Sequence, residues 1–230
     1  MSGIATRATL FKVIVFVLPI VFVLFCIYMK VSKNDVYMNM IKEDAVIENM
    51  TCAAYLLASV FALSIACRFF KEHRARYGWL YVLAFLFFAF VGMEEVSWGQ
   101  RIFGTKTPVL LMGHNIQKES NLHNLDIVRP LLGEAFILIS LAGACSWMLI
   151  RHRRMKSLRH RAKYFIPDWY LSLYFFFGAF ITLYLELSAK WGRYVFLTWP
   201  DMEPSEMLVS FGFCLFMVIT KCRQVREVRA

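Results

Sequence analysis

Six apolar runs dominate the sequence, and each is about as long as a helix that crosses a lipid bilayer. The hydrocarbon core is ~30 Å thick, so a helix that spans it needs about 20 consecutive apolar residues. Hydrophobic residues make up 59% of the chain, which excludes an ordinary soluble domain. We predict an all-α integral membrane protein over residues 1–230, a single polytopic domain with about six transmembrane helices and a long outer loop between the third and fourth. The predicted spans are 10–29, 46–69, 79–99, 127–150, 169–189 and 205–222.

The distribution of Lys and Arg predicts the orientation of these spans. If the N-terminus lies in the cytoplasm, most basic residues fall on the inner side, including the dense run at 151–163. Because basic loops remain in the cytoplasm, we predict that both termini are cytoplasmic and that the membrane is a bacterial inner membrane. The expected partners are the lipid bilayer and, at the run 151–163, anionic lipid. The net charge of +10 therefore does not indicate nucleic-acid binding.

Carboxylates stand in the outer parts of several spans, where lipid would be unfavourable to them. Glu94 and Glu95 end the third run, and Glu48, Glu134 and Glu186 occupy other spans. A carboxylate at membrane depth costs about 2.5–3.5 kcal/mol on insertion scales, so it needs protein, water or a cation as its partner. We predict that these acids line one outward-facing polar site, with the glycines that flank Glu95 allowing a second helix to approach. The alternative is a set of helix-end residues that complement helix dipoles.

The outer segment 102–126 concentrates polar side chains in its second half. A polar loop of this length is uncommon unless it is functional. The residues predicted to bind a substrate are Asn115, Gln117, Glu119 and Asn124 of this segment and Glu134 of the fourth span.

A divalent metal such as zinc is one cofactor that this site could hold. His114 and His123, with Glu94 or Glu95, would supply nitrogen and oxygen ligands and leave one position for water. Their spacing matches no established zinc motif. An all-oxygen calcium or magnesium site is the alternative, built from Asp44, Glu48, Glu94, Glu95 and Asn115.

A metal-free acid/base site is the second possibility, and its catalytic candidates are Glu94, Glu95, Ser97, Arg101 and Glu48. Neighbouring carboxylates repel each other, so one can hold a proton that the other accepts. The planar guanidinium of Arg101 suits an anionic head group. Ser97 as a nucleophile, with a histidine as its base, ranks lower because it lacks a G-x-S-x-G context.

Two motifs flank the first half of the outer segment. Residues 94–101 read E-E-V-S-W-G-Q-R, and residues 115–124 read N-I-Q-K-E-S-N-L-H-N. Together they resemble the signature of a group of uncharacterised multi-pass bacterial membrane proteins. The resemblance covers about residues 44–126 and implies that the two motifs act as one unit, but it implies no activity.

The leading hypothesis is a membrane-embedded enzyme, a hydrolase or transferase that acts on a lipid or lipid-linked substrate. One rival is a transporter or channel whose carboxylates carry protons or cations. That class requires acids along the whole path, and the inner halves of the spans have only the boundary residue Asp168. The other rival is a non-catalytic accessory subunit whose polar network holds its helices in register.

Overall fold

A computed structural model describes residues 2–42, 45–108, 120–122, 125, 127–151, 162–193 and 196–229. Most of these described residues are helical, and none of them forms a β-strand. Six helices are long and apolar enough to cross a membrane. This confirms the prediction of an all-α chain with about six such helices. The α-helices are α1 (Ser2–Ser32), α2 (Asn34–Ile41), α3 (Val46–Lys71), α4 (Ala75–Glu95), α5 (Gln100–Phe103), α6 (Arg129–Arg151), α7 (Ser172–Trp191) and α8 (Glu203–Arg229), and 3-10 turns occupy Ser97–Gly99, Trp169–Leu171 and Trp199–Met202.

The chain forms two compact units, of which the first comprises residues 1–42 and 136–212. In this unit α1 packs through aromatic contacts against the turn that precedes α7. Phe11 lies 6.4 Å from Tyr170, and Phe16 lies 5.4 Å from Trp169, between ring centroids. Edge-to-face and tilted pairs at these distances add about 0.5–1.5 kcal/mol each beyond the area they bury.

Glycines allow α6 and α7 to approach closely within the same unit. A Cβ atom added to Gly143 would lie 2.5 Å from the ring of Phe175, and one added to Gly178 would lie 2.3 Å from Val209 of α8. Both distances are too short for a real side chain, so only glycine fits. Because Gly143 lies opposite Phe175 and Ser140 lies opposite Gly178, α6 and α7 run antiparallel.

The second unit comprises residues 43–135 and 213–230, and an antiparallel hairpin of α3 and α4 forms its core. At the closed end Phe69 packs against Tyr77 and Tyr81, with centroid distances of 5.5 and 5.6 Å. The C-terminal part of α8 joins α3 through Lys221, whose ammonium donates to the carbonyl of Ser64 at 3.0 Å. The open end of the hairpin carries Glu48 on α3 and Glu94 and Glu95 on α4.

The end of α4 differs from its predicted extent. The apolar run predicts a helix to residue 99, but the helix ends at Glu95 and a turn follows at Ser97–Gly99. Gly92 and Glu95 therefore lie one turn apart on α4, whereas Arg101 belongs to the separate helix α5.

Candidate functional site

Three consecutive residues after α4 adopt left-handed backbone conformations. The φ angles are +46° at Ser97, +57° at Trp98 and +72° at Gly99. Glycine adopts this region readily, but each non-glycine residue there costs about 1–3 kcal/mol and persists only when surrounding contacts hold it. The side chains of this turn and of Glu94 make such contacts.

Glu94 is a buried carboxylate that accepts hydrogen bonds on both of its oxygens. It is 4% exposed. Its Oε1 accepts from the indole Nε1–H of Trp98 at 2.5 Å, and its Oε2 accepts from the backbone N–H of Leu122 at 2.6 Å. These bonds offset part of the cost of removing a charge from water, and they fix the strained turn and Leu122 to the end of α4.

Two further side chains connect the same segments. The amide Nε2 of Gln100 donates to the Thr107 hydroxyl at 2.7 Å, while its Oε1 accepts from the backbone N–H of Ser120 at 2.6 Å. The Nδ2 of Asn121 donates to the Ser97 hydroxyl oxygen at 3.0 Å.

We call this network the Glu94 junction, with the members Glu94, Ser97, Trp98, Gln100, Thr107, Ser120, Asn121 and Leu122. It brings residues of the two motifs together as one structure.

Glu95 belongs to a different environment from Glu94. It is half-buried, as is Glu48 on α3, and both carboxylates lie close enough to the buried Cys52 thiol to act on it electrostatically. Gly92, one turn before Glu95, packs against α3, because a Cβ there would lie 3.2 Å from Leu56. This confirms the predicted close approach at Gly92, but Gly99 lies in the left-handed turn after α4, where its neighbour is Phe103. The structure therefore brings Glu48 and Glu95 to the same end of the α3–α4 hairpin.

The other predicted site residues are placed less closely or are not described. Glu134 is exposed on α6, and Glu186 is half-buried on α7. The metal and substrate-binding predictions stay predictions, because the following lie outside the described residues: Asp44, His114, Asn115, Gln117, Glu119, His123, Asn124 and the side chain of Arg101.

A second buried carboxylate, Asp201, was not among the predicted site residues. It is 2% exposed and forms an ion pair with the ammonium of Lys30. Its Oδ1 accepts from the Tyr37 hydroxyl at 2.7 Å, and its Oδ2 accepts from the backbone N–H of Thr198 at 2.6 Å and from the Thr198 hydroxyl at 3.0 Å. The available signal was the spacing of Thr198 and Asp201, which forms a capping box at the 3-10 turn Trp199–Met202.

We call these four residues, Lys30, Tyr37, Thr198 and Asp201, the Asp201 cluster. The Lys30 ammonium also lies 5.4 Å from the ring centre of Phe196, within range of a cation–π contact. Because several donors already surround the carboxylate, the cluster is suited to tying the ends of α1 and α2 to the turn before α8.

Comparisons of the chain with protein-family models, with curated proteins and with solved structures find no match.

Proposed function

We propose that the chain is a multi-pass protein of a bacterial inner membrane, with cytoplasmic termini and the Glu94 junction on the outer side. The exposed faces of its helices support membrane insertion. Leu10, Ile14, Leu18 and Val21 follow one another along α1, and each exposes half or more of its surface. A contiguous apolar stripe of this kind needs lipid or protein to cover it. The asymmetric distribution of Lys and Arg supports the orientation.

Within this protein we propose a membrane-embedded enzyme in which Glu95 and Glu48 are the acid/base pair. The Glu94 junction is the observation that carries the proposal, since it holds a strained turn and residues 120–122 in place beside Glu95. Catalytic groups need such support from surrounding residues to keep a productive geometry. Glu94 is then a positioning residue, because both of its oxygens are engaged. Two carboxylates at one end of a hairpin can serve one substrate as general acid and general base.

A lipid or lipid-linked substrate suits this location, and the reaction class is hydrolysis or group transfer. The half-buried Glu95 lies at the end of an apolar helix, where the head group of a lipid would meet the reactive groups while its tail stays in the bilayer. Arg101 would bind an anionic head group. His114 and His123 would complete the site, either as ligands of a divalent metal or as a base.

Conversion of lipids by the purified protein tests this proposal. The protein is reconstituted in liposomes made from the total lipid extract of a bacterial membrane, and products are followed by mass spectrometry. We expect the wild type to convert at least one lipid species. Glu95→Gln and Glu48→Gln should each lower the rate by about 100-fold or more, because general acid/base groups contribute factors of that order.

Glu72→Gln is the matched control, since it removes a carboxylate from the other end of the hairpin, where Glu72 pairs with Arg68. It should convert lipid at the wild-type rate. A Glu95→Gln variant that is as active as the wild type would overturn the assignment of Glu95. If the wild type converts no lipid and Glu95→Gln only lowers the melting temperature of the protein, the accessory-subunit hypothesis replaces the enzyme hypothesis.

A further inference from the structure

Several buried polar atoms on α6 and α7 lack a hydrogen-bond partner among the described residues. They are Ser140 Oγ, Ser146 Oγ and Trp147 Nε1 on α6, and Tyr174 OH and Thr182 Oγ1 on α7. Nearly all buried polar groups in proteins are paired, with protein or with ordered water, and an unpaired one costs about 1–3 kcal/mol. Several unpaired polar atoms on two neighbouring helices point to water molecules that pair with these atoms.

Helical spacing places two of these residues, Tyr174 and Thr182, on one face of α7, against which Ser140 of α6 and Val209 of α8 pack at Gly178. Tyr174, Gly178 and Thr182 are four residues apart and therefore share one face of α7. Ser140 of α6 faces the middle of that row, because a Cβ added to Gly178 would lie 3.3 Å from its Oγ. Ser140, Tyr174 and Thr182 are almost completely buried. Along α7 the positions 174, 178 and 182 are about 6 Å apart, the rise of four helical residues, and the Ser140 hydroxyl lies at the middle position.

Carboxylates stand at both ends of this row. Glu186 is four residues after Thr182 on the same face and is half-buried, and the exposed Lys190 follows one turn later. At the other end Tyr170 is four residues before Tyr174, and its hydroxyl donates to the carboxylate of Asp168 at 3.1 Å. The row from Tyr170 to Glu186 is about 24 Å long, most of the thickness of a bilayer core.

We propose that this face of α7 lines a chain of water molecules that carries protons between Glu186 and Asp168. We call it the polar seam, lined by Ser140, Tyr174 and Thr182. Each hydroxyl accepts a proton from the water on one side and releases its own proton to the water on the other, so the protein is unchanged after each transfer. The seam does not depend on the proposed enzyme, and either proposal can fail alone.

Proton flux into liposomes tests the seam. The protein is reconstituted with a pH-sensitive dye inside, and a potassium diffusion potential with valinomycin drives protons inwards. We expect wild-type liposomes to acidify at least tenfold faster than protein-free ones. Thr182→Val, which keeps the shape of the side chain but removes its hydroxyl, should lower the rate to that of protein-free liposomes, and Thr182→Ser should restore it.

Thr220→Val is the matched control, because Thr220 also buries an unpartnered hydroxyl but lies on α8 in the unit formed by residues 43–135 and 213–230. It should conduct as the wild type does. Wild-type liposomes that acidify no faster than protein-free ones would overturn the proposal. So would a Thr182→Val variant that conducts normally.

Discussion

Replacing Asp201 by alanine is expected to destabilise the protein by about 3–5 kcal/mol, the usual cost of removing one partner from a buried ion pair. The change leaves the Lys30 ammonium without its carboxylate, although that side chain is only 15% exposed. It also removes the acceptor of the Tyr37 hydroxyl and of the Thr198 backbone N–H. The free energy of unfolding in detergent, followed by circular dichroism during denaturant titration, measures the effect.

A double-mutant cycle separates the ion pair from the rest of the Asp201 cluster. Lys30→Met combined with Asp201→Ala should cost less than the sum of the two single changes, because no charge is then left buried alone. Asp35→Ala, at an exposed position in the first turn of α2, is the control and should change stability by no more than about 0.5 kcal/mol. An Asp201→Ala variant as stable as this control would contradict the role given to the cluster.

Replacing Glu94 by alanine is expected to release residues 120–122 from the end of α4. The loss of two hydrogen bonds to a charged group, each about 1.5–3 kcal/mol, leaves the Leu122 N–H without its acceptor. Hydrogen exchange should therefore become at least tenfold faster at the Leu122 amide, a change that corresponds to about 1.4 kcal/mol. Lipid conversion should fall as well, because the turn beside Glu95 loses its support.

Glu94→Gln tests whether the junction needs both acceptor oxygens of the carboxylate or only a side chain of the same shape. A glutamine has one acceptor oxygen, so its NH₂ group would face either the Trp98 indole or the Leu122 N–H, and both are donors. We expect faster exchange at Leu122 in this variant too, but not in Glu72→Gln. Unchanged protection of Leu122 in both Glu94 variants would show that the junction does not hold the segment.

Long apolar runs and local spacing predicted the helices and part of the site. Six helices follow from the length and composition of the runs, and the close approach at Gly92 follows from a glycine one turn before Glu95. The end of α4 could not be predicted in this way. The turn at Ser97–Gly99 is held by Asn121 and Leu122, which lie more than 20 residues further along the chain.

The Asp201 cluster could be predicted from the sequence even less than the end of α4. Thr198 and Asp201 carry a local capping signal, but Lys30 is 171 residues away in sequence and nothing near it indicates an ion pair. Hydroxyls such as Ser140 and Thr182 are ordinary residues in an apolar helix, and only their burial and register across α6 and α7 set them apart. Local patterns predict elements and caps, whereas pairings between distant segments need the folded chain.

Labelling of single cysteines tests most directly whether the Glu94 junction faces outwards in a membrane. The six native cysteines are replaced, and one cysteine is introduced at the exposed Lys106, beside the junction, or at the exposed Lys71, at the other end of the hairpin. The account predicts that a membrane-impermeant maleimide labels spheroplasts carrying Lys106→Cys, and labels Lys71→Cys only after lysis. The reverse pattern would place the junction in the cytoplasm, and equal labelling of both in spheroplasts would show that the hairpin does not cross the membrane.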